Sequence, residues 1–101
     1  MIIPDEACKI WISNPCELRE FLTACENQDV RWRSGRKALA WIDVMHTPMY
    51  IVLAGASAMN RMMRGSSARQ FRQYKERDIT TEFFAGSQMP DPHTVLEAAW
   101  I

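Results

Sequence analysis

Apolar and polar positions alternate over Cys8-Lys9-Ile10-Trp11-Ile12, with Cys8, Ile10 and Ile12 on one side and Lys9 and Trp11 on the other. A period of two belongs to a β-strand, so the segment predicts a short strand with one clearly apolar face. The period then changes. Leu18, Phe21, Leu22 and Cys25 recur at i, i+3, i+4 and i+7, which lines them up on one side of a helix and leaves Glu17, Arg19, Glu20 and Glu26 off the stripe. The helix start is marked too. Asn14 can cap, Pro15 suits the first helical position, and Glu17 stands three after the cap as in a capping box. A helix over 15–26 is therefore expected, broken by Asn27-Gln28-Asp29. Val30-Arg31-Trp32-Arg33 alternates again and Ser34-Gly35 turns the chain. Strand, helix and strand in succession predict a right-handed crossover with the two strands parallel.

Further on, residues 36–48 fit a helical turn or a strand, and Pro48 bars a helix through that point. Met49-Tyr50-Ile51-Val52-Leu53, rich in β-branched and aromatic residues, predicts a central strand. Ala58, Met59, Met62 and Met63 fall at helical spacing within 56–64. Ser66 or Ser67 can cap a second helical stretch to Arg77, with Phe71 and Tyr74 on its apolar side. Ile79 to Phe84 reads as a last strand and Gly86 to Pro92 as a loop. Asp91-Pro92 can open a short terminal helix with Val95, Leu96, Ala99 and Trp100 facing in. The predicted fold is α+β, a three- or four-stranded sheet starting β-α-β, with the 15–26 helix and the terminal helix packed on it.

A chain of 101 residues is one domain, 1–101, large enough for a modest core. With 48% hydrophobic and 24% charged residues, wholesale disorder is not expected. Four tryptophans (Trp11, Trp32, Trp41, Trp100) suit either core pillars or half-exposed interface positions. Cys8, Cys16 and Cys25 are odd in number and form no C-x-x-C. Without a signal peptide, they read as reduced thiols of a cytoplasmic protein, Cys25 as a small buried hydrophobe on the helix stripe. The longest apolar stretch, Tyr50 to Ala58, falls far short of the roughly 20 residues that cross a bilayer, so a soluble protein with no membrane partner is expected.

Charge adds more. Residues 31–77 hold ten of the twelve basic side chains and only two of the twelve acids, Asp43 and Glu76, so the middle carries +8 and each end −4. The formal total of zero hides this partition, which a charged partner would sense. Arg31 and Arg33 project from one face of the second strand, and Arg36 and Lys37 follow the turn. Arg69, Arg72, Lys75 and Arg77 belong to the second helical stretch. If those elements are neighbours, a broad positive face results. It can be a solvated or self-paired surface, a contact for an acidic protein, or a seat for phosphate oxygens. Arg31, Arg33, Arg36, Lys37, Arg69, Arg72 and Lys75 are the candidate partner-binding residues. Met59, Met62 and Met63 fit core filling or an adaptable groove.

Catalytic motifs are scarce. The four glycines are scattered, without a dinucleotide or Walker pattern. His46 and His93 stand alone, outside zinc-ligand spacing. Asp43 and His46 are an acid and a histidine close together in sequence, and no serine or cysteine has a local signature of nucleophilic catalysis. No catalytic residue, metal site or cofactor is expected, and a non-enzymatic role is favoured.

The run Glu17-Leu18-Arg19-Glu20-Phe21-Leu22 through Cys25, followed by Val30-Arg31-Trp32-Arg33-Ser34-Gly35 and the strand Met49–Leu53, resembles small proteins encoded by phages and other mobile elements. Those proteins carry a leading strand, an E-x-x-x-F-L helix and a W-x-S-G strand end; the resemblance covers residues 8–54. It implies a class of accessory proteins that act stoichiometrically on host machinery, including inhibitors of bacterial defence such as anti-CRISPR proteins. They share no agreed activity, so no residue role is carried over. This chain departs from the pattern in its cationic middle and terminal tryptophan. The function expected is binding to a bacterial protein or nucleoprotein complex that handles nucleic acid, through an acidic surface of that complex. The alternative is a small nucleic-acid-binding regulator using residues 31–77. Oligomeric state stays open, a dimer included.

Overall fold

The two alternating strands that flank the first helix lie apart in one sheet, and later segments fill the gap between them. A computed structural model describes residues 3–54 and 60–85. Its strands are β1 (Cys8–Ile12), β2 (Arg31–Trp32), β3 (Met49–Leu53), β4 (Asn60–Gly65) and β5 (Arg77–Asp78), in the order β2-β4-β3-β1-β5. β3 is antiparallel to β1 and β4, whereas β2 is parallel to β4 and β5 to β1. Helices α1 (Pro15–Asn27), α2 (Ala68–Gln73) and α3 (Thr80–Ala85), with a 3-10 segment at Ala38–Val44, complete the described residues. The class is α+β, with five strands rather than three or four. β1 and β2 do point the same way, but β4 and β3 lie between them, so the crossover is a split β-α-β.

The sheet is covered on both faces. Cys8, Ile10 and Ile12 of β1 and Met49, Ile51 and Leu53 of β3 join Leu18, Phe21, Leu22 and Cys25 of α1 and Phe83 of α3 in one buried cluster. Tyr50 and Val52 point the other way and meet Phe71 of α2, with Trp11, Met63 and Tyr74 around them. Local chemistry sets α1 as its sequence predicts. The Asn14 Oδ1 accepts the Glu17 N–H at 2.9 Å, and the Glu17 carboxylate accepts the Ser13 N–H at 2.8 Å. After the helix Asp29 adopts φ 56°, a left-handed conformation that asparagine and aspartate tolerate better than most residues. Gly65 pairs with Tyr50 across β3 and β4, and the tyrosine ring lies over it so closely that any Cβ there would run into the ring.

Three expectations are corrected. The methionine run expected to be helical is β4 from residue 60 onwards, residues 55–59 lying outside the described residues. A strand covered on both faces loses its polar-apolar alternation: Met62 packs on the α1 side and Met63 on the α2 side, so the run imitated a helical stripe. The second helical stretch stops at Gln73, short of Arg77, although Ser67 caps it as foreseen, its Oγ accepting the Gln70 N–H at 3.2 Å. Residues 79–84, rich in threonine and phenylalanine and expected as a strand, instead lead into α3, Thr80–Ala85. Asp78 Oδ1 accepts both the Thr80 N–H (2.9 Å) and the Thr80 hydroxyl (2.6 Å), which turns the chain, and Ile79 and Phe83 then face the core four apart. The expected loop at 86–92 and terminal helix lie outside the described residues. No helix among those described is long and apolar enough to cross a membrane.

Candidate functional site

β2 and the turn after it hold the first group of cations. Gly35, at φ 91°, lets the chain reverse, with the Gly35 N–H on the Trp32 carbonyl (2.7 Å) and the Trp32 N–H on the Arg36 carbonyl (2.9 Å). Trp32 anchors this corner: its ring is buried and its Nε1–H donates to the Ala38 carbonyl at 2.9 Å. Arg31, Arg36 and Lys37 thereby line an open concavity of about 520 Å³, together with Glu26, Leu39 and Ala40. The Arg36 guanidinium stands 5.2 Å from the centroid of the Trp41 ring, a stacking that holds it in place. Glu26, the one acid here, is partly engaged, since its Oε2 accepts the Leu39 N–H at 3.2 Å.

The second group sits on the α2 layer. Phe71 turns inward, which leaves Arg69 and Arg72 exposed, with Lys75 exposed just beyond the helix. Arg33 joins the two groups. Its Nη1 lies 3.1 Å from the Met63 Sδ, and Met63 packs against the cluster that contains Phe71. Arg33 therefore leans toward the α2 side, whereas Arg31, Arg36 and Lys37 gather in the concavity at the sheet edge. The seven candidates form two groups with Arg33 between them.

Self-pairing accounts for little of this charge. Among the described residues the ion pairs are Arg31 with Asp29 at 3.0 Å and Arg77 with both Glu6 and Glu82. The hydrogen bonds to Glu6 and Glu82 raise the already high pKa of the exposed Arg77. Arg33, Arg36, Lys37, Arg64, Arg69, Arg72 and Lys75 are exposed and have no acidic partner among the described residues. Like charges spaced within a Debye length of roughly 8–10 Å repel, and a covering anionic surface relieves that repulsion.

Two other cations are structural, and sequence reading missed both. Arg61 is 5% exposed and donates to the carbonyls of Ala54 (3.0 Å), Pro4 (3.0 Å) and Glu6 (2.8 Å). Lys9 is 8% exposed; its Nζ donates to the Phe71 and Tyr74 carbonyls at 2.7 and 2.9 Å and lies 4.5 Å from the Phe71 ring centroid. It closes the end of α2. The available signal was Lys9 itself, a charge between two apolar neighbours in a strand whose second face also carries Trp11.

The three cysteines differ in exposure. Cys8 and Cys25 are fully buried. Burial pushes the Cys8 thiol up to about 11, against a smaller opposing effect of Arg61, and raises Cys25 as well, so both stay protonated at neutral pH. Cys16 is exposed near the start of α1. Asp43 and His46 are both exposed. No group of three or more His, Cys, Asp or Glu suited to a metal ion occurs among the described residues. Comparison of the chain with protein-family models, with curated proteins and with solved structures finds no match.

Proposed function

We propose that this protein is a non-enzymatic accessory protein of the phage and mobile-element type. It binds a bacterial complex that handles nucleic acid, a defence complex of the kind anti-CRISPR proteins inhibit, and obstructs it by gripping an acidic protein surface in the cytoplasm. The observation that carries the reading is that six of the seven candidate cations, Arg33, Arg36, Lys37, Arg69, Arg72 and Lys75, are exposed and have no acidic partner among the described residues, the first three falling within five residues. Arginine is enriched in interface centres, and here one guanidinium is already ordered by Trp41. Burial of two of the three thiols, Cys8 and Cys25, supports binding over catalysis.

The second reading is a small nucleic-acid-binding regulator, favoured by the concavity in which Arg31, Arg36 and Lys37 converge, since phosphate oxygens suit it as well as carboxylates do. Titration with labelled duplex and single-stranded DNA separates the two. On the main reading, binding at near-physiological salt is weak and indifferent to sequence. Submicromolar affinity that falls steeply as salt rises replaces the main reading with the regulator.

A further inference from the structure

On the other side of the sheet from α2 lies a cleft that the partner-binding cations do not use. It is about 460 Å³ in volume and lined by His46, Met49, Arg64, Gly65 and Ser66. The strand register fixes its polarity. Arg64 pairs with Ile51 across β3 and β4, and directly paired residues share a face, so Arg64 lies on the face of Ile51, Met49 and α1. Gly65 pairs with Tyr50 and has its Cβ direction filled by the tyrosine ring on the opposite face, so it borders the cleft with backbone.

The chemistry of the lining is uneven. Met49 is buried and gives an apolar floor. Arg64, His46 and Ser66 are exposed and supply a guanidinium, an imidazole and a hydroxyl. Among the described residues no carboxylate lines the cleft and Arg64 has no acidic partner. The nearest acid along the chain, Asp43, lies three residues before His46. A volume of this size falls in the range of small-ligand sites, which combine an apolar wall with a few convergent polar groups.

We propose that this cleft binds a small amphiphilic anion, its apolar body on Met49 and its phosphate or carboxylate head held by Arg64, His46 and Ser66. A guanidinium gives such a head two parallel N–H donors, and the imidazole and hydroxyl complete the oxygen partners. The site is independent of the macromolecular contact proposed above, because it uses none of that contact's seven residues and lies across the sheet from α2.

Phenyl phosphate, benzoate and benzyl alcohol are the probes, titrated into the full chain while backbone amide and His46 imidazole signals are followed by NMR. Saturable shifts centred on His46, Arg64 and Ser66 are expected with phenyl phosphate or benzoate, the tighter of the two identifying the head group. Arg64→Gln is expected to weaken that binding at least tenfold without moving the melting temperature, since Arg64 is exposed. His46→Gln provides a second, smaller loss. Equal binding of benzyl alcohol overturns anion recognition. Shifts that are absent, that centre on Arg36 and Lys37 instead, or that persist unchanged in Arg64→Gln overturn the site.

Discussion

Phe21→Ala is expected to destabilise the domain by about 3–5 kcal/mol, the range for deleting a buried phenylalanine ring. Phe21 is fully buried at the centre of the α1 stripe and meets Phe83 of α3 edge-on, ring centroids 5.1 Å apart. Truncation thus leaves a cavity between two helices and the sheet, and removes an aromatic pair that links the first helix to the last described one. Small domains have only about 5–15 kcal/mol of total stability, so the loss is a large share of it. Thermal or urea melts measure it. A midpoint shift of only a degree or two would place Phe21 outside the core and turn α1 the other way.

The second large effect belongs to Arg61. Its guanidinium ties the Ala54 carbonyl at the end of β3 to the Pro4 and Glu6 carbonyls before β1, so one side chain holds the leading segment to the β3–β4 pair. Arg61→Met keeps much of the stem's packing and strips all three donors, leaving carbonyls without partners, each worth about 1–3 kcal/mol where it stays buried. A loss of roughly 3 kcal/mol is expected by chemical denaturation. Arg61→Lys is expected to recover only part of it, because an ammonium cannot present the planar fork that reaches three separate oxygens. Full stability of Arg61→Met would show that water satisfies those carbonyls and that the arginine is dispensable.

Arg61 also shows where sequence reading stopped. The α1 stripe, its Asn14 cap and the central strand Met49–Leu53 were legible because each is fixed by residues close in sequence. The β1 alternation was legible too, although its polar side proved to be covered by α2 instead of facing solvent. β4 and α3 were not legible. In β4 a long-range pairing with β3 outweighs a short-range period, and a buried arginine stands where an apolar residue would have betrayed the strand. In α3 the β-branched and aromatic residues favour a strand, but Asp78 turns the chain and the core accepts Ile79 and Phe83 four apart, so tertiary contact overrides propensity. The charge partition was plain from the sequence. Which cations are structural (Lys9, Arg61), which are paired (Arg31, Arg77) and which are left without an acid depends on contacts up to 71 residues apart.

That sorting makes a clean test available. Arg36→Glu with Lys37→Glu reverses two exposed charges that hold no hydrogen bond of their own side chains among the described residues and removes only the Arg36–Trp41 stacking, worth about 0.5–1 kcal/mol, so circular dichroism is expected to match the unaltered protein and melting to fall by a few degrees at most. Arg69→Glu with Arg72→Glu does the same on α2. The decisive measurement is affinity capture from nuclease-treated bacterial lysate, with the unaltered chain and both variants side by side. The account predicts that the unaltered chain retains a defined protein complex after nuclease treatment, and that reversal at Arg36 and Lys37 abolishes its recovery, since like charges across an interface cost several kcal/mol. Undiminished recovery by both folded variants, or loss of the complex on nuclease treatment alone, would contradict it.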